Sequence, residues 1–564
     1  MPQGTLKFWY CRGLAMSCIA LAFVSMILAP VLMGQSATTG AITGTVKDSS
    51  GAVIPNATIT VTSLSTGQAR TATTGSSGAY TVGFLLPDNY SVKFEAAGFG
   101  TATVPSITLN VTETPTLDQV LTIGTQSQQV EVHGEAAELV QTTSATNGTV
   151  IDSHTVTDTP LTTRNYTNLI GLSAGVQATV FNAITLGRGS QDVEVNGAGP
   201  SQNNYSQDGA SINSYSATGR VADSGNNPGM AIVNPDAVAE FKIQTSMYDA
   251  SYGRNPGANV NVVTKSGTNQ YHGTAFEFFR NTALNANDYF RKLNPPINGV
   301  AQNGRPVLNQ NQFGGSFGGP IKKDKLFFFV SEQETRQING AAAQGYSTPT
   351  VPAIPGGDRS TPAFKAALGA AFGPVGAAGC AGLQSNGSTS VGGVQVACNG
   401  SNINPVALNI LNLKLANGSY FIPSSNLASG ANATIAQSAP VHFTEHQVIG
   451  NFDYEINQKN TLAFRFFWAH DPASITESCA GSGSGANAAG TITPCLLGAP
   501  GLTNFPAMYD TLRLTTLVTN NLVNEARLSI QTIQAHPVQQ IPFTNAQVGI
   551  ANIIPAEPSL DTII

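Results

Sequence analysis

A mainly β protein is what this sequence of 564 residues predicts: a β-sandwich, a mixed α/β domain, and the first seven or so strands of an incomplete antiparallel outer-membrane β-barrel. Composition is the first of three grounds. Charged residues make up only 10% of the chain, against roughly 25% in soluble domains, while Gly numbers 58 and mean hydropathy is close to zero. Strands that hide an apolar face at every second position read this way. Alternation is the second ground. Val448, Phe452 and Tyr454 fall on one face against Gln447, Asn451, Asp453 and Glu455, and Leu462, Phe464, Phe466 and Trp468 oppose Thr461, Ala463 and Arg465. The third is the spacing of the strands expected at Gly273–Asn281, Gln312–Ile321, Lys325–Gln333, His446–Ile456, Asn460–His470, Met508–Val518 and Val523–Gln534. Their connections run long (282–311), short (322–324), long (334–445), short (457–459), long (471–507), short (519–522). Barrels with long outer loops and short periplasmic turns give this series; a soluble sandwich has no reason to.

Residues 1–36 read as a secretory signal: Lys7 and Arg12 precede an apolar run from Leu14 to Met33, and Gly34 and Ser36 offer small residues for cleavage before Ala37. An uncleaved anchor is the rival, since about 20 apolar residues span a bilayer, but Pro30 and the small-residue exit favour cleavage. Cys11 and Cys18 leave with the signal. The other cysteines form two local pairs, Cys380/Cys398 and Cys479/Cys495, which read as disulfides in an exported chain. Each closes a loop of about 15 residues, contributing on the order of 3 kcal/mol if unstrained. Neither pair has the C-x-x-C spacing or a nearby His that a metal site would show.

Residues 38–124 carry short strands separated by turn signals at Asp48–Gly51, Thr66–Gly67 and Ser76–Gly78. The strands are expected at Gly44–Lys47, Ala57–Ser63, Ala69–Thr73, Ala79–Val82, Asn89–Ala96 and Leu117–Leu121, a sandwich rhythm. Gly44, Val46, Asp48, Gly51, Ile54, Pro55 and Ala57, followed by Gly75, Gly78, Tyr80, Leu86, Pro87, Tyr90, Val92, Ala97, Gly98 and Phe99, resemble the carboxypeptidase regulatory-like domain. That resemblance implies an accessory sandwich, in some members with a carbohydrate-binding-like fold, and no peptidase. Tyr80 and Tyr90 are offered to glycans or to the core, and core packing is the expected use.

A polar connector, 125–139, follows. An extended segment of its kind is either an ordinary edge strand or one that pairs with another chain's sheet edge. Residues 140–267 are turn-rich, with a short helix expected after Pro160 that ends near Gly175. Here Pro160, Arg164, Asn165, Leu169 and Ile170 are followed by Val193, Val195 and Gly197, then Asn203, Tyr205, Asp208 and Gly209, then Pro235, Val238, Phe241 and Ile243, then Tyr252, Gly253, Arg254, Val260, Val262 and Gly267. The ordered set resembles the plug domain of TonB-dependent outer-membrane receptors, in the version seen in Oar-like proteins. Asn269, Tyr271, Gly273, Phe276, Phe278 and Arg280, then Asn311, Phe313 and Gly314, Gly318–Pro320, Asp324 and Phe327–Phe329 resemble the same family's barrel entry, so that 268–564 is a partial barrel. The resemblance implies a TonB-contacting box before the plug, and Gln129, Val130, Glu131 and Val132 match it best. It also implies 22 strands around the plug, so the chain is expected to be the N-terminal portion of a longer receptor.

No enzyme chemistry is legible, and no cofactor or metal site is expected. HExxH, Walker A and GxSxG are absent, and Gly187-x-Gly189 lacks a third glycine. Asp208 and Gly209 read as a turn rather than a calcium loop. His442 and His446 read as a surface pair at a strand entrance that their spacing does not bring together; Arg188, Asp192 and Arg254 read either as lining the outer face of the plug or, equally, as surface ion pairs. A net charge of −6 without a basic tract leaves no expectation of nucleic acid. The expected partners are a TonB-type energising protein in the periplasm, outer-membrane lipid, and a ligand left open between carbohydrate, siderophore and peptide. An Oar-like role in adhesion or export and a secreted carbohydrate-binding sandwich are the alternatives.

Overall fold

The computed structural model describes residues 38–124, 130–131, 147–178, 186–189, 193–213, 231–246, 255–287, 305–340, 354–374, 395–415, 418–422, 440–475, 501–519, 522–534 and 543–551, with shorter pieces between them. The expected signal, Gln129, Val132, Asp192, Arg254, Cys479 and Cys495 lie outside them.

Two sheets form the sandwich. One pairs β1 (Gly40–Asp48) with β4 (Ala79–Leu85) and β7 (Gln119–Leu121); the other runs β3 (Ala69–Thr73), β2 (Thr58–Ser63), β5 (Asp88–Glu95), β6 (Ala102–Leu109) and β8 (Val130–Glu131). Alternate residues point inward, so Ile42, Val46, Ile59, Val61, Val92 and Phe94 are completely buried. The first turn closes as its residues demand, with Asp48 Oδ1 accepting from Ser50 N and Ala52 N. Strand β6 went unexpected because Pro105 interrupts its pattern. The β5–β6 ladder skips register there, between Tyr90/Ile107 and Val92/Val104, so the missing N–H is tolerated.

In the mixed domain a five-stranded sheet runs β13 (Ala210–Ser211), β12 (Asn204–Gln207), β15 (Asn259–Thr264), β14 (Val238–Ser246) and β9 (Asn147–Asp152). Asp152 caps the short helix α1 (Ser153–Asp158), and the helix expected after Pro160 is a 3-10 turn at Tyr166–Leu172, capped by Asn165. Asp208 and Gly209, both at positive φ, make the tight β12–β13 turn as expected. All six residues of β15, the central strand of this sheet, are buried.

Seven long strands then form one antiparallel wall in chain order: β16 (His272–Arg280), β17 (Leu308–Lys322), β18 (Leu326–Asn339), β23 (Val441–Asn457), β24 (Asn460–His470), β27 (Ala507–Thr519) and β28 (Leu522–Ile533). All seven expected strands are present, mostly longer than expected. Phe452, Tyr454 and Phe464 are 37–38% exposed, against 5% or less for Gln447, Asn451 and Asp453, so the wall has an apolar outer and a polar inner face. Among the described residues β16 and β28 do not pair, and the barrel is open. Short strands decorate the outer loops: β19 (Tyr346–Ser347) with β22 (Gln437–Ser438), β20 (Thr350–Val351) with β21 (Ala433–Thr434), and β25 (Ala473–Ile475), β26 (Gly501–Thr503) and β29 (Val538–Gln539). The β18–β23 loop also folds into a cap with helices α2 (Pro362–Phe372) and α3 (Pro405–Asn412) and a Cys380–Cys398 disulfide. It packs on the segment after β28 through Val406, Ile410 and Phe421 against Phe543 and Val548.

Candidate functional site

The site lies where the mixed domain fills the inner face of the wall. One apolar core serves both, running from Tyr166, Phe241 and Val260 to Phe329, Ile449, Phe467 and Tyr509. Around it the alternating polar residues of the wall meet polar groups of the domain, since a buried polar atom without a partner costs about 1–3 kcal/mol. Tyr509 donates to Gln207 O at 2.7 Å, and Asn451 donates to Thr264 Oγ1 at 2.8 Å and to Lys265 O at 2.7 Å. Ser266 donates to Asp453, which also pairs with Arg465 at 2.8 Å along the wall.

Two arginines of the domain reach the wall. Arg188 stands between Gly187 and Gly189, both at positive φ, and its carbonyl accepts from the capping residue Asn165 at 3.2 Å. Its guanidinium is 1% exposed, pairs with Glu445 at 3.0 Å and donates to Ile232 O, while Nη2 has no partner among the described residues. Burial pulls the Arg188 guanidinium below its ordinary value, and Glu445 opposes that pull. A place on the surface was expected; the structure corrects this, because Gly187 N also donates to Gln337 Oε1 at 2.7 Å and draws the loop into the wall. Arg164, at φ +53°, pairs with Asp236 and donates to Gln333 at 3.2 Å. It lies 4.3 and 4.4 Å from the ring centres of Phe276 and Phe278, a cation–π arrangement.

Beside Arg164 a cavity of about 520 Å3 opens between residues 156–164 and strands β16 and β17, lined by Thr157, Phe278, Arg280, Gln310 and Gln312. Arg280 donates to Gln310 Oε1 at 3.5 Å. Gln310 Nε2, in the lining, and the nearby Thr163 Oγ1 are buried without a partner among the described residues.

Other expected residues fall as follows. Tyr80 and Tyr90 are buried in the sandwich and donate to Leu117 O and Leu86 O, as core residues rather than a glycan platform. His442 and His446 do share the outer face of β23, since residues i and i+4 of a strand point the same way; this corrects the expected opposition, although about 13 Å of strand separates them. His446 contacts Glu334 at 3.6 Å instead. Val130 and Glu131 pair in parallel with Ala102 and Thr103, at the edge of the sandwich sheet. Among the described residues no cluster of His, Cys, Asp and Glu is arranged to hold a metal. Arg164 stands in the motif set without a role, and Asp236 and Glu445 carry none in the sequence. For Glu445 the available signal was a polar residue at every second position of its wall strand.

A family model of the outer membrane beta barrel domain matches residues 263–563, just over half the chain. A carboxypeptidase regulatory-like domain model matches residues 41–122. Among curated proteins the chain is 27% identical over 333 residues to the TonB-dependent transporter Oar of Myxococcus xanthus, covering 56% of this chain and 29% of that protein. The chain thus spans under a third of that relative's length. Among solved structures it is similar to the outer membrane transporter YddB from Escherichia coli, with a TM-score of 0.38 and 11% identity over 68% of this chain and 39% of that one. The siderophore receptor PirA from Acinetobacter baumannii gives a TM-score of 0.32 and 15% identity over 70% and 45%.

Proposed function

Because the chain belongs to the outer membrane beta barrel domain family, we propose that it works as a TonB-dependent outer-membrane transporter in which the mixed domain is the plug. One observation carries the reading. The domain seats on the wall by a shared apolar core and, around it, by polar pairs led by Arg188–Glu445 and Tyr509–Gln207, which water can replace when the domain shifts. A periplasmic energising protein would hold the segment Gln129–Val132 and pull the plug from its seat.

The ligand would arrive from the long-loop side. Arg280, Thr163 Oγ1 and Gln310 Nε2 offer donors around the cavity at the wall, which favours a ligand rich in oxygen acceptors, as glycans, siderophores and peptides all are. The test is deletion of Gln128–Val132, followed by growth on a panel of ferric siderophores, oligosaccharides and peptides as sole iron or carbon source. Growth on whichever compound the intact chain supports should be lost while surface binding of that compound persists. Unchanged growth would remove the role of this segment.

A further inference from the structure

The sandwich touches both other parts of the molecule, and the contacts converge on the short-turn end of the wall. The hairpin tip between β2 and β3 is clasped by four elements. Asn269, in the link from mixed domain to wall, donates from its backbone to Ser65 O at 3.0 Å and from its side chain to Thr66 O at 2.7 Å. The same side chain donates to Asp324 Oδ1 at 2.7 Å and accepts from Asp324 N at 2.8 Å, tying in the β17–β18 turn. Gln68 Nε2 donates to Glu455 at the end of β23 at 2.7 Å and to Thr461 at the start of β24 at 3.1 Å. Gly67 sits at φ +75°, where any side chain is strained, and a Cβ there would lie 2.9 Å from Asp324 Oδ1 and push that carboxylate aside.

A second contact is with the mixed domain itself: Val111 N, on the sandwich, donates to Glu240 of β14, and both residues are buried. A third precedes β1, where Thr38 Oγ1 accepts from Arg513 on the inner face of the wall at 2.8 Å. Finally, strand β8 joins the sandwich sheet at β6, although in sequence it lies on the way to the mixed domain. A force applied at residues 130–131 therefore bears on the sandwich across this ladder.

We propose that the sandwich domain is a latch: it clamps the short-turn end of the wall and the underside of the mixed domain, and must swing off the wall before that domain can be drawn out. A domain that bridges a piston to its cylinder holds the piston until one of the two grips lets go. Here the grip on the wall is mostly exposed and half-buried hydrogen bonds around the hairpin tip, replaceable by water, with the Thr38–Arg513 bond buried, whereas the grip on the mixed domain is a buried carboxylate. The wall side is the one that opens first. The inference rests on the transport reading only for the identity of the protein that pulls.

Pulling the molecule directly separates the two ideas. The full chain in lipid vesicles is held by its wall and stretched through a handle at Glu131→Cys, with no energising protein present. A first low-force event, the release of the sandwich from the wall, should precede extension of the mixed domain. In Ser65→Cys/Asn269→Cys the oxidised form should lose that first event and resist extension, and reductant should restore it. Asn269→Ala, outside the sandwich, and Gly67→Val should both remove the first event without a disulfide. Extension of the mixed domain at one unchanged force in all these forms would overturn the latch, as would failure of the cysteine pair to oxidise. A normal force record with no growth defect on deleting Gln128–Val132 would instead leave the latch standing and remove the role proposed for that segment in transport.

Discussion

Glu240 is a carboxyl placed where ionisation is penalised. Burial is the main cause, the charges of Glu113 and Asp152 add to it, and the bond from Val111 N and the charge of Lys242 oppose it; together they push the group up from 4.5 to about 7. A raised carboxyl stabilises the folded contact fully below its ordinary value and loses that contribution as pH rises through the raised one. The packing around Glu240 should thus lose stability between pH 4.5 and about 7, by a few kcal/mol at most. Glu240→Gln should make it insensitive to pH across that window. Oxidation yield of a cysteine pair spanning this contact, followed against pH in both forms, measures it; equal slopes would contradict the assignment. At the same scale, Arg188 shows why charged residues of the mixed domain were misread. Glycines on either side signal a turn, and a turn with an arginine reads as surface until the partner strand, 257 residues away at Glu445, is in place.

Strands are where sequence and structure agree most closely. Strand β24 begins and ends where its alternation said, at Asn460 and His470, because a side-chain period of two is local and the bilayer enforces it on one face. Others ran longer than expected, as with the 17 residues of β23. Alternation inverts there, with Val441 and Phe443 buried on the inner side against His442 and Thr444, where the strand leaves the apolar band. Substitution should reveal that band by depth. Phe464 faces outward midway up the wall, and Phe464→Arg should cost ~2–4 kcal/mol of folding free energy in vesicles, whereas Thr516→Arg, on the same face near the short-turn end, should cost ~1 kcal/mol or less. Urea titration of heat-resistant folded protein on a gel gives both values, and equal costs would place the apolar band elsewhere. The opposite case is β6, where one proline was enough to conceal a strand of eight residues that holds the sandwich edge and receives β8.

Across the whole molecule the outer cap links the β18–β23 loop to residues beyond β28, with Asn409 donating to Val548 O at 3.2 Å and the Cys380–Cys398 disulfide closing a loop of 18 residues. Removing that bridge with Cys380→Ala/Cys398→Ala should cost the cap about 3 kcal/mol. Proteolysis within residues 354–422 should speed up while the wall and the sandwich stay intact; unchanged rates would mean the small apolar core around Phe364 and Leu368 holds the cap alone. The sequence by itself determined the elements and their succession: sandwich strands, a turn-rich domain, then seven membrane strands with alternating connection lengths. Each of these depends on residues a few positions apart, through turn chemistry, two-residue periodicity and the thickness of a bilayer. The tertiary structure alone decided which polar residue answers which: Arg188 with Glu445, Arg164 with Asp236 and Gln333, Gln68 with Glu455, Glu240 with Val111 N. Those pairs join segments 72 to 387 residues apart, and a polar side chain carries no local mark of its distant partner. Its identity is set only when burial removes water and leaves one neighbour to bond.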